Sequence, residues 1–162
     1  MRALGLCIDI PGNKKPTLRV VVLEDSLPPD QVPITADMRM VDFFEIVATG
    51  ADLAEQLKEV SHAITGRVES LMPDIVVVRR ADWSPRPSNL DAPRFRLLFE
   101  GAVVAASRSL VQKTTIRTGK ECGTVYGKAK ADLDADAETL STKKVLVQAA
   151  AAAMSGLVAD RV

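Results

Sequence analysis

The sequence has few of the residue types that cross-link small proteins or bind zinc. Among its 162 residues are two cysteines, Cys7 and Cys122, and one histidine, His62. These numbers exclude a disulfide framework and a zinc site of the usual cysteine and histidine kind. Aromatic residues make up only 4%, so the core must be built from aliphatic side chains and methionine. A chain of this length buries roughly 70% of the surface of its unfolded form, and we expect one domain over residues 1–162.

The sequence also lacks an excess of charge of either sign, with 21 basic and 21 acidic residues. Proteins that coat nucleic acid are usually basic, so this neutrality argues against strong nonspecific binding to DNA, RNA or membranes but allows a local basic face. No apolar run approaches the ~20 residues of a membrane-spanning helix. The first residues are too quickly interrupted by polar ones for a signal peptide. We therefore expect a cytoplasmic protein.

The order of strand and helix signals predicts an α/β domain. Apolar and β-branched runs indicate five strands, and amphipathic patterns indicate three helices, in the order β-β-β-α-β-α-β-α. The predicted strands are 3–10, 17–23, 40–49, 75–78 and 113–118, and the predicted helices are 52–72, 92–110 and 141–162. Strands that alternate with helices need crossover connections, so we expect a mixed five-stranded sheet flanked by helices.

The segment between the last strand and the last helix gives no helix signal. Residues 119–127 contain three glycines, which predicts a flexible loop. Residues 128–138 are dense in charge, and Asp132, Asp134 and Asp136 alternate in a way that fits an extended or looped segment better than one helical face. We expect a solvated loop whose acids favour the N-terminus of the last helix.

Two motifs give the chain a family resemblance. Residues 6–12 read Leu-Cys-Ile-Asp-Ile-Pro-Gly, with Ile10 as an extra residue between Asp9 and Pro11, and residues 73–78 read Pro-Asp-Ile-Val-Val-Val. Together with the order of elements, these motifs resemble the RuvC-type resolvases of the RNase H-like superfamily. The resemblance covers nearly the whole chain. It implies an RNase H-like fold and a homodimer to which the second helix contributes.

The resemblance also implies a site that this chain fills poorly. Members of the family bring four carboxylates together around two divalent ions, because ions ~3.5–4 Å apart clamp the attacking and leaving oxygens of a phosphodiester. Asp9 matches the acid of the first strand. Arg79 stands where an acid is expected after the fourth strand, and Lys143 and Lys144 stand at the expected start of the last helix. We therefore expect a catalytically degenerate RuvC-like domain without a cofactor.

An alternative keeps the chain active as a metal-dependent endonuclease. In that case Asp9 is the metal ligand and catalytic acid, with Asp132, Asp134 and Asp136 as helpers in a rearranged site that binds Mg²⁺ or Mn²⁺. This arrangement requires the last helix to begin near Asp136, so that some of these acids face Asp9.

Two groups of basic residues are candidate surfaces for a partner. An arginine group with the single tryptophan suits phosphates and stacked bases, or a protein hot spot, unless it is only a solvated loop. A lysine-rich group lies in the region that approaches the DNA backbone in the resembled family, and is otherwise ordinary surface. The first group comprises Arg79, Arg80, Trp83, Arg86, Arg94 and Arg96, and the second comprises Lys113, Arg117, Lys120, Lys128 and Lys130. The expected partners are DNA or RNA, a second copy of the chain, or a larger protein assembly for which the chain is a scaffold.

Overall fold

A computed structural model describes residues 1–10, 15–82, 91–141, 143–159 and 161 of the chain. The described strands are β1 (Arg2–Asp9), β2 (Thr17–Asp25), β3 (Met38–Val47), β4 (Ile75–Arg79) and β5 (Thr114–Arg117). The described helices are α1 (Leu53–Leu71), α2 (Asp91–Arg108), α3 (Gly119–Tyr126), α4 (Lys130–Leu140) and α5 (Val147–Ala159). Short 3-10 turns cover Thr35–Asp37 and Lys144–Leu146.

The five strands form one mixed sheet in the order β3-β2-β1-β4-β5, which confirms the predicted architecture. The first three strands are antiparallel neighbours, and β4 and β5 run parallel to β1. The strands β1, β4 and β5 therefore end on the same side of the sheet, at Asp9, Arg79 and Arg117. We call this side the carboxyl edge.

Alternate residues of the strands build two apolar cores, one on each face of the sheet. Leu4 and Leu6 of β1 belong to a buried cluster with Ile64 of α1 and Phe99 of α2. Cys7 belongs to the other cluster, which is formed with residues of α3, α4 and α5. The side-chain period of two along a strand gives this division.

The alanine-rich helix α5 is buried because it lies close against β1. A Cβ atom added at Gly5 would overlap the carbonyl oxygen of Ala149 and lie 2.9 Å from Cβ of Ala153. Residues 149–153, all alanine, are fully buried. Small side chains on both elements therefore permit the close approach. None of the helices in the described ranges is long and apolar enough to cross a membrane.

The prediction of a loop at residues 119–138 was wrong, because the segment forms α3 and α4. Thr118 caps α3 in a reciprocal pair with Glu121. Gly127 takes φ +80° as the C-cap of α3, and a Cβ atom at Gly123 would lie 2.7 Å from the carbonyl oxygen of Lys128. These glycines therefore serve a helix end and a close backbone contact rather than flexibility.

The last helix also begins later than predicted. Ser141 is the C-cap of α4, and α5 starts only at Val147, after a 3-10 turn. The Ser141 hydroxyl oxygen accepts a hydrogen bond from the backbone N–H of Lys143 at 3.2 Å. This local bond favours a turn, since serine side chains compete with helical hydrogen bonding.

Candidate functional site

One row of side chains crosses the whole sheet close to the carboxyl edge. Cys7 of β1 is in register with Arg19 of β2 and with Arg79 of β4. Arg19 is in turn opposite Glu45 of β3, and Arg79 is beside Arg117 of β5. Residues in register point to the same face, which here is the face covered by α3, α4 and α5. We call these five residues the cross-strand row; three of them are arginines.

Arg79, at the end of β4, is buried and bound to α4. Only 2% of its side chain is exposed. Its Nη1 donates to Oδ1 of Asp134 at 2.6 Å, and its Nη2 donates to Oδ2 at 3.2 Å. The ammonium group of Lys130 lies 3.3 Å from Oδ2 of Asp134 and 3.5 Å from Oδ2 of Asp82. A forked guanidinium–carboxylate pair of this kind is strong and fixes orientation.

The protonation of this pair follows from its contacts. Burial alone would lower the pKa of Arg79, but the hydrogen bonds and the charge of Asp134 outweigh it and raise that pKa. Burial would likewise raise the pKa of Asp134, but Arg79, and after it Lys130, hold that pKa below its ordinary value. The pair is therefore ionised at neutral pH.

Gly119 leaves the space that the Arg79 side chain occupies. A Cβ atom at Gly119 would overlap Nη2 of Arg79 and lie 2.6 Å from Cε of Lys130. The backbone N–H of Gly119 donates to Oδ1 of Asp82 at 2.9 Å. The start of α3 is thus fitted around the guanidinium group.

Asp9, the one acid that matches the resembled family, is bound to a guanidinium group as well. Nη1 of Arg19 donates to Oδ2 of Asp9 at 2.6 Å, and Nε of Arg19 donates to Oε1 of Glu45 at 3.1 Å. The carboxylates of Asp9 and Glu45 are each 44% exposed, whereas Arg19 is 16% exposed. Arg19 therefore lies between the two acids and offsets part of their charge.

The other acids of α4 do not join Asp9. Asp132 is exposed. Asp136 accepts from Nζ of Lys128 at 2.6 Å and from the hydroxyl of Thr35 at 3.2 Å. Acids two residues apart on a helix point about 200° apart, so α4 cannot direct all three to one site.

Tested against a metal centre, these residues do not fit. Within the described ranges no group of three or more His, Cys, Asp and Glu side chains is placed to hold a metal ion. Of the acids around the ends of β1 and β4, Asp9 and Asp134 are each already bound to an arginine. A divalent ion at either carboxylate would meet a fixed positive charge.

The predicted basic groups are only partly brought together. Arg80 is exposed, and its backbone N–H donates to the carbonyl oxygen of Arg117 at 2.9 Å. Lys120 is exposed in the first turn of α3. Lys113 precedes β5 and therefore lies at the opposite end of that strand from Arg117. Trp83 and Arg86 lie outside the described residues.

Several residues of this site were not predicted from the sequence. They are Arg19, Glu45, Asp82 and Gly119. One usable signal was Arg19, a cation inside the otherwise apolar run of β2. A charged residue at an inward position of a strand needs a partner of opposite charge, which would have pointed to Asp9.

Comparison with known proteins finds similarity in structure but not in sequence. No protein-family model matches the sequence, and no curated protein matches it. The fold is RNase H-like and of the RuvC type. It is similar to the solved structure of Thermus thermophilus RuvC, with a TM-score of 0.71 and 12% identity over 96% of this chain and 92% of that chain.

A second solved structure gives the same result. It is T. thermophilus RuvC in complex with a Holliday junction substrate, with a TM-score of 0.64 and 13% identity over 96% of this chain and 91% of that chain. At this level of identity the likeness shows the fold alone.

Proposed function

We propose that this chain is a catalytically degenerate RuvC-like domain that acts as a nucleic-acid-associated or assembly module. The observation that carries the proposal is the pairing of the buried Arg79 with Asp134 at the carboxyl edge. A two-metal nuclease needs several anionic oxygens that are available to divalent ions. Here the carboxylates of Asp9 and Asp134 are already bound by guanidinium groups, so we expect neither a metal cofactor nor cleavage.

A cleavage assay separates this proposal from the active alternative. We expect no cleavage of four-way junctions, duplex DNA or single strands in Mg²⁺ or Mn²⁺. Cleavage that needs the metal and disappears in Asp9→Asn would instead establish a metal-dependent endonuclease with a rearranged site. Wild-type protein without metal and the Asp9→Asn variant with metal are the matched controls.

Binding to nucleic acid is supported by the fold and by two exposed cations. The similar RuvC structure holds a Holliday junction, and in this chain Arg80 and Lys120 are exposed close to the carboxyl edge. Cations that contact phosphates release counterions from the nucleic acid, so we expect binding that weakens steeply as salt is added.

The binding test uses labelled four-way junction, duplex DNA, single-stranded DNA and RNA across a salt series. The double variant Arg80→Ala, Lys120→Ala should bind less tightly, with a smaller dependence on salt. Lys58→Ala, an exposed cation on α1, should bind as the wild type does. No binding to any of the four at low salt would contradict the nucleic-acid function and leave a protein scaffold.

The assembly part of the proposal is a homodimer formed through α2. The outer side of this helix exposes Leu97 at 62% and Leu98 at 48%. A Cβ atom added at Gly101 would meet nothing within 4 Å, so a second helix has room to approach there. Apolar surface of this kind is typical of protein interfaces, and we propose that the dimer resides in the cytoplasm.

Sedimentation velocity measures the oligomeric state of the protein directly. We expect the wild type to sediment as a dimer and Leu98→Glu to sediment as a monomer with unchanged circular dichroism. Leu110→Glu, a comparably exposed leucine beyond the end of α2, should stay dimeric. A monomeric wild type would contradict the dimer, and a dimer that survives Leu98→Glu would place the interface elsewhere.

A further inference from the structure

At the carboxyl edge the chain supplies its own positive charge, the guanidinium group of Arg79. The guanidinium group of Arg79 reaches from the last position of β4 to the carboxylate of Asp134, which is 24% exposed. It does so through both of its terminal nitrogens. It is also one of the largest fully buried side chains in the described part of the chain.

We propose that the guanidinium group of Arg79 is a built-in replacement for a divalent ion at the carboxyl edge. It holds Asp134, and with it α4, against the sheet, and for this reason the wild-type edge takes up no divalent metal. This inference deepens the proposed function, because it gives the physical reason why a RuvC-type fold would remain intact without a metal centre.

Burial makes the pair obligatory for Arg79, because a buried charge that loses its partner is strongly destabilising. Without Arg79, the nearest cation to Asp134 is Lys130, whose side chain is 43% exposed. A solvated ammonium group screens a carboxylate far less well than a buried forked guanidinium does. Asp134 would therefore need another cation.

The surroundings of Arg79 also contain further oxygen ligands. The carboxylates of Asp82 and Asp134 both contact the ammonium group of Lys130, so they lie near each other. Gly119 keeps side-chain atoms away from the guanidinium position. Arg79→Glu would remove the internal cation and add a third carboxylate beside two existing ones. Oxygen-rich groups of this kind bind Mg²⁺, Mn²⁺ and Ca²⁺.

Thermal unfolding of four proteins tests the proposal. Wild type, Arg79→Glu, Arg79→Lys and the double variant Arg79→Glu, Asp134→Asn are melted with EDTA, with millimolar MnCl2 or MgCl2, and with NaCl at matched ionic strength. The melting temperature of the wild type should be the same with and without metal. The melting temperature of Arg79→Lys should likewise not depend on metal. Arg79→Glu should melt lower in EDTA and gain about 3 °C or more in MnCl2, and the double variant should lose that gain.

The outcomes that would overturn the proposal are distinct. A wild-type melting temperature that rises in MnCl2, and no longer does so in Asp134→Asn, would show that the edge binds metal with Arg79 in place. An Arg79→Glu protein that melts lower but ignores metal would show that Arg79 does not stand in for a cation. If Arg79→Glu is unfolded in EDTA, recovery of its circular dichroism in MnCl2 supports the proposal, and failure to recover overturns it.

A further variant, Arg79→Met, tests the loss of the positive charge alone. Arg79→Met keeps the volume of the side chain but removes its charge, so it should be less stable than wild type at neutral pH. Equal stability of the two proteins would overturn the proposal. The proposed function is tested separately, because metal-dependent cleavage by the wild type would contradict it whatever the Arg79 variants do.

Discussion

Arg117 lies directly beside Arg79 in the parallel register of β5 and β4, but the two guanidinium groups bind different helices. Arg79 binds Asp134 of α4, whereas Nη1 of Arg117 donates to the carbonyl and hydroxyl oxygens of Ser155 of α5, at 3.1 and 3.2 Å. Like charges on neighbouring strands repel each other. Separate partners relieve this repulsion and tie two helices to one end of the sheet.

The first prediction concerns the stability that Asp134 provides. Asp134→Ala should lower the free energy of unfolding by about 3 kcal/mol, because it leaves the buried Arg79 without its carboxylate. Urea unfolding of the wild type and the variant at neutral pH measures this difference.

The matched control lies on the same helix. Asp132 is exposed, so Asp132→Ala should change the free energy of unfolding by no more than about 0.5 kcal/mol. If both variants lose the same amount, the effect belongs to the charge or helicity of α4 in general and not to the pair with Arg79.

The second prediction concerns the response of stability to acid. Burial raises the pKa of Asp134 in the folded protein, but Arg79, and after it Lys130, lower that pKa by more, so the net shift is downward. The ion pair therefore contributes its full stability above the unfolded pKa of about 3.9 and loses it as the pH falls through the lower folded value. The difference in unfolding free energy between wild type and Asp134→Asn should keep its full value from neutral pH to about pH 5 and shrink progressively below that. A difference that stays constant down to about pH 2 would mean that Asp134 does not titrate with the pair.

The third prediction compares two glycines in helices. Gly119→Ala should destabilise the protein by about 1–3 kcal/mol, because the new methyl group overlaps Arg79 and must displace it. Gly66→Ala, in the middle of α1 with nothing within 4 Å of its added Cβ atom, should stabilise it by about 0.5–1 kcal/mol. Thermal or urea unfolding measures both. A neutral Gly119→Ala would show that the guanidinium position is not sterically fixed.

The fold could be predicted from local patterns because those patterns agree with the tertiary structure. The β-branched run at 75–78 forms the buried strand β4, and Asp52 caps α1 by accepting from the backbone N–H of Glu55.

The helices α3 and α4 were missed because their signals in the sequence are weak. Gly119 and Gly123 lie within α3 and Gly127 is its C-cap, and α4 begins after Ala129, which makes no side-chain cap. Packing of Leu133 and Ala137 against the core holds α4 in place instead.

The site could be predicted only in part, because its contacts join distant residues. The sequence places a cation at position 79, where the resemblance implies an acid, but gives no sign that Asp134 is its partner, 55 residues further along the chain. Asp134 was predicted as a possible helper of Asp9 in a rearranged site, together with Asp132 and Asp136. That alternative required the last helix to begin near Asp136, whereas all three acids lie within α4, which directs Asp134 away from the other two.

The last prediction concerns the two cysteines. Both are buried, and burial raises the pKa of the Cys7 thiol from an ordinary value of 9.0 to about 11. Each pKa unit changes the thiolate fraction tenfold, so at pH 8 Cys7 carries about 100-fold less thiolate than a free cysteine. Since the thiolate is the species that reacts, iodoacetamide should label neither cysteine of the native protein at an appreciable rate but should label both in urea. Mass spectrometry of peptides after timed labelling measures each site.

Asp134→Ala should speed the labelling of Cys122, which lies in α3 next to α4, if α4 opens more often without its link to Arg79. Native labelling as fast as that in urea would mean that α3 and α5 do not close over this face of the sheet.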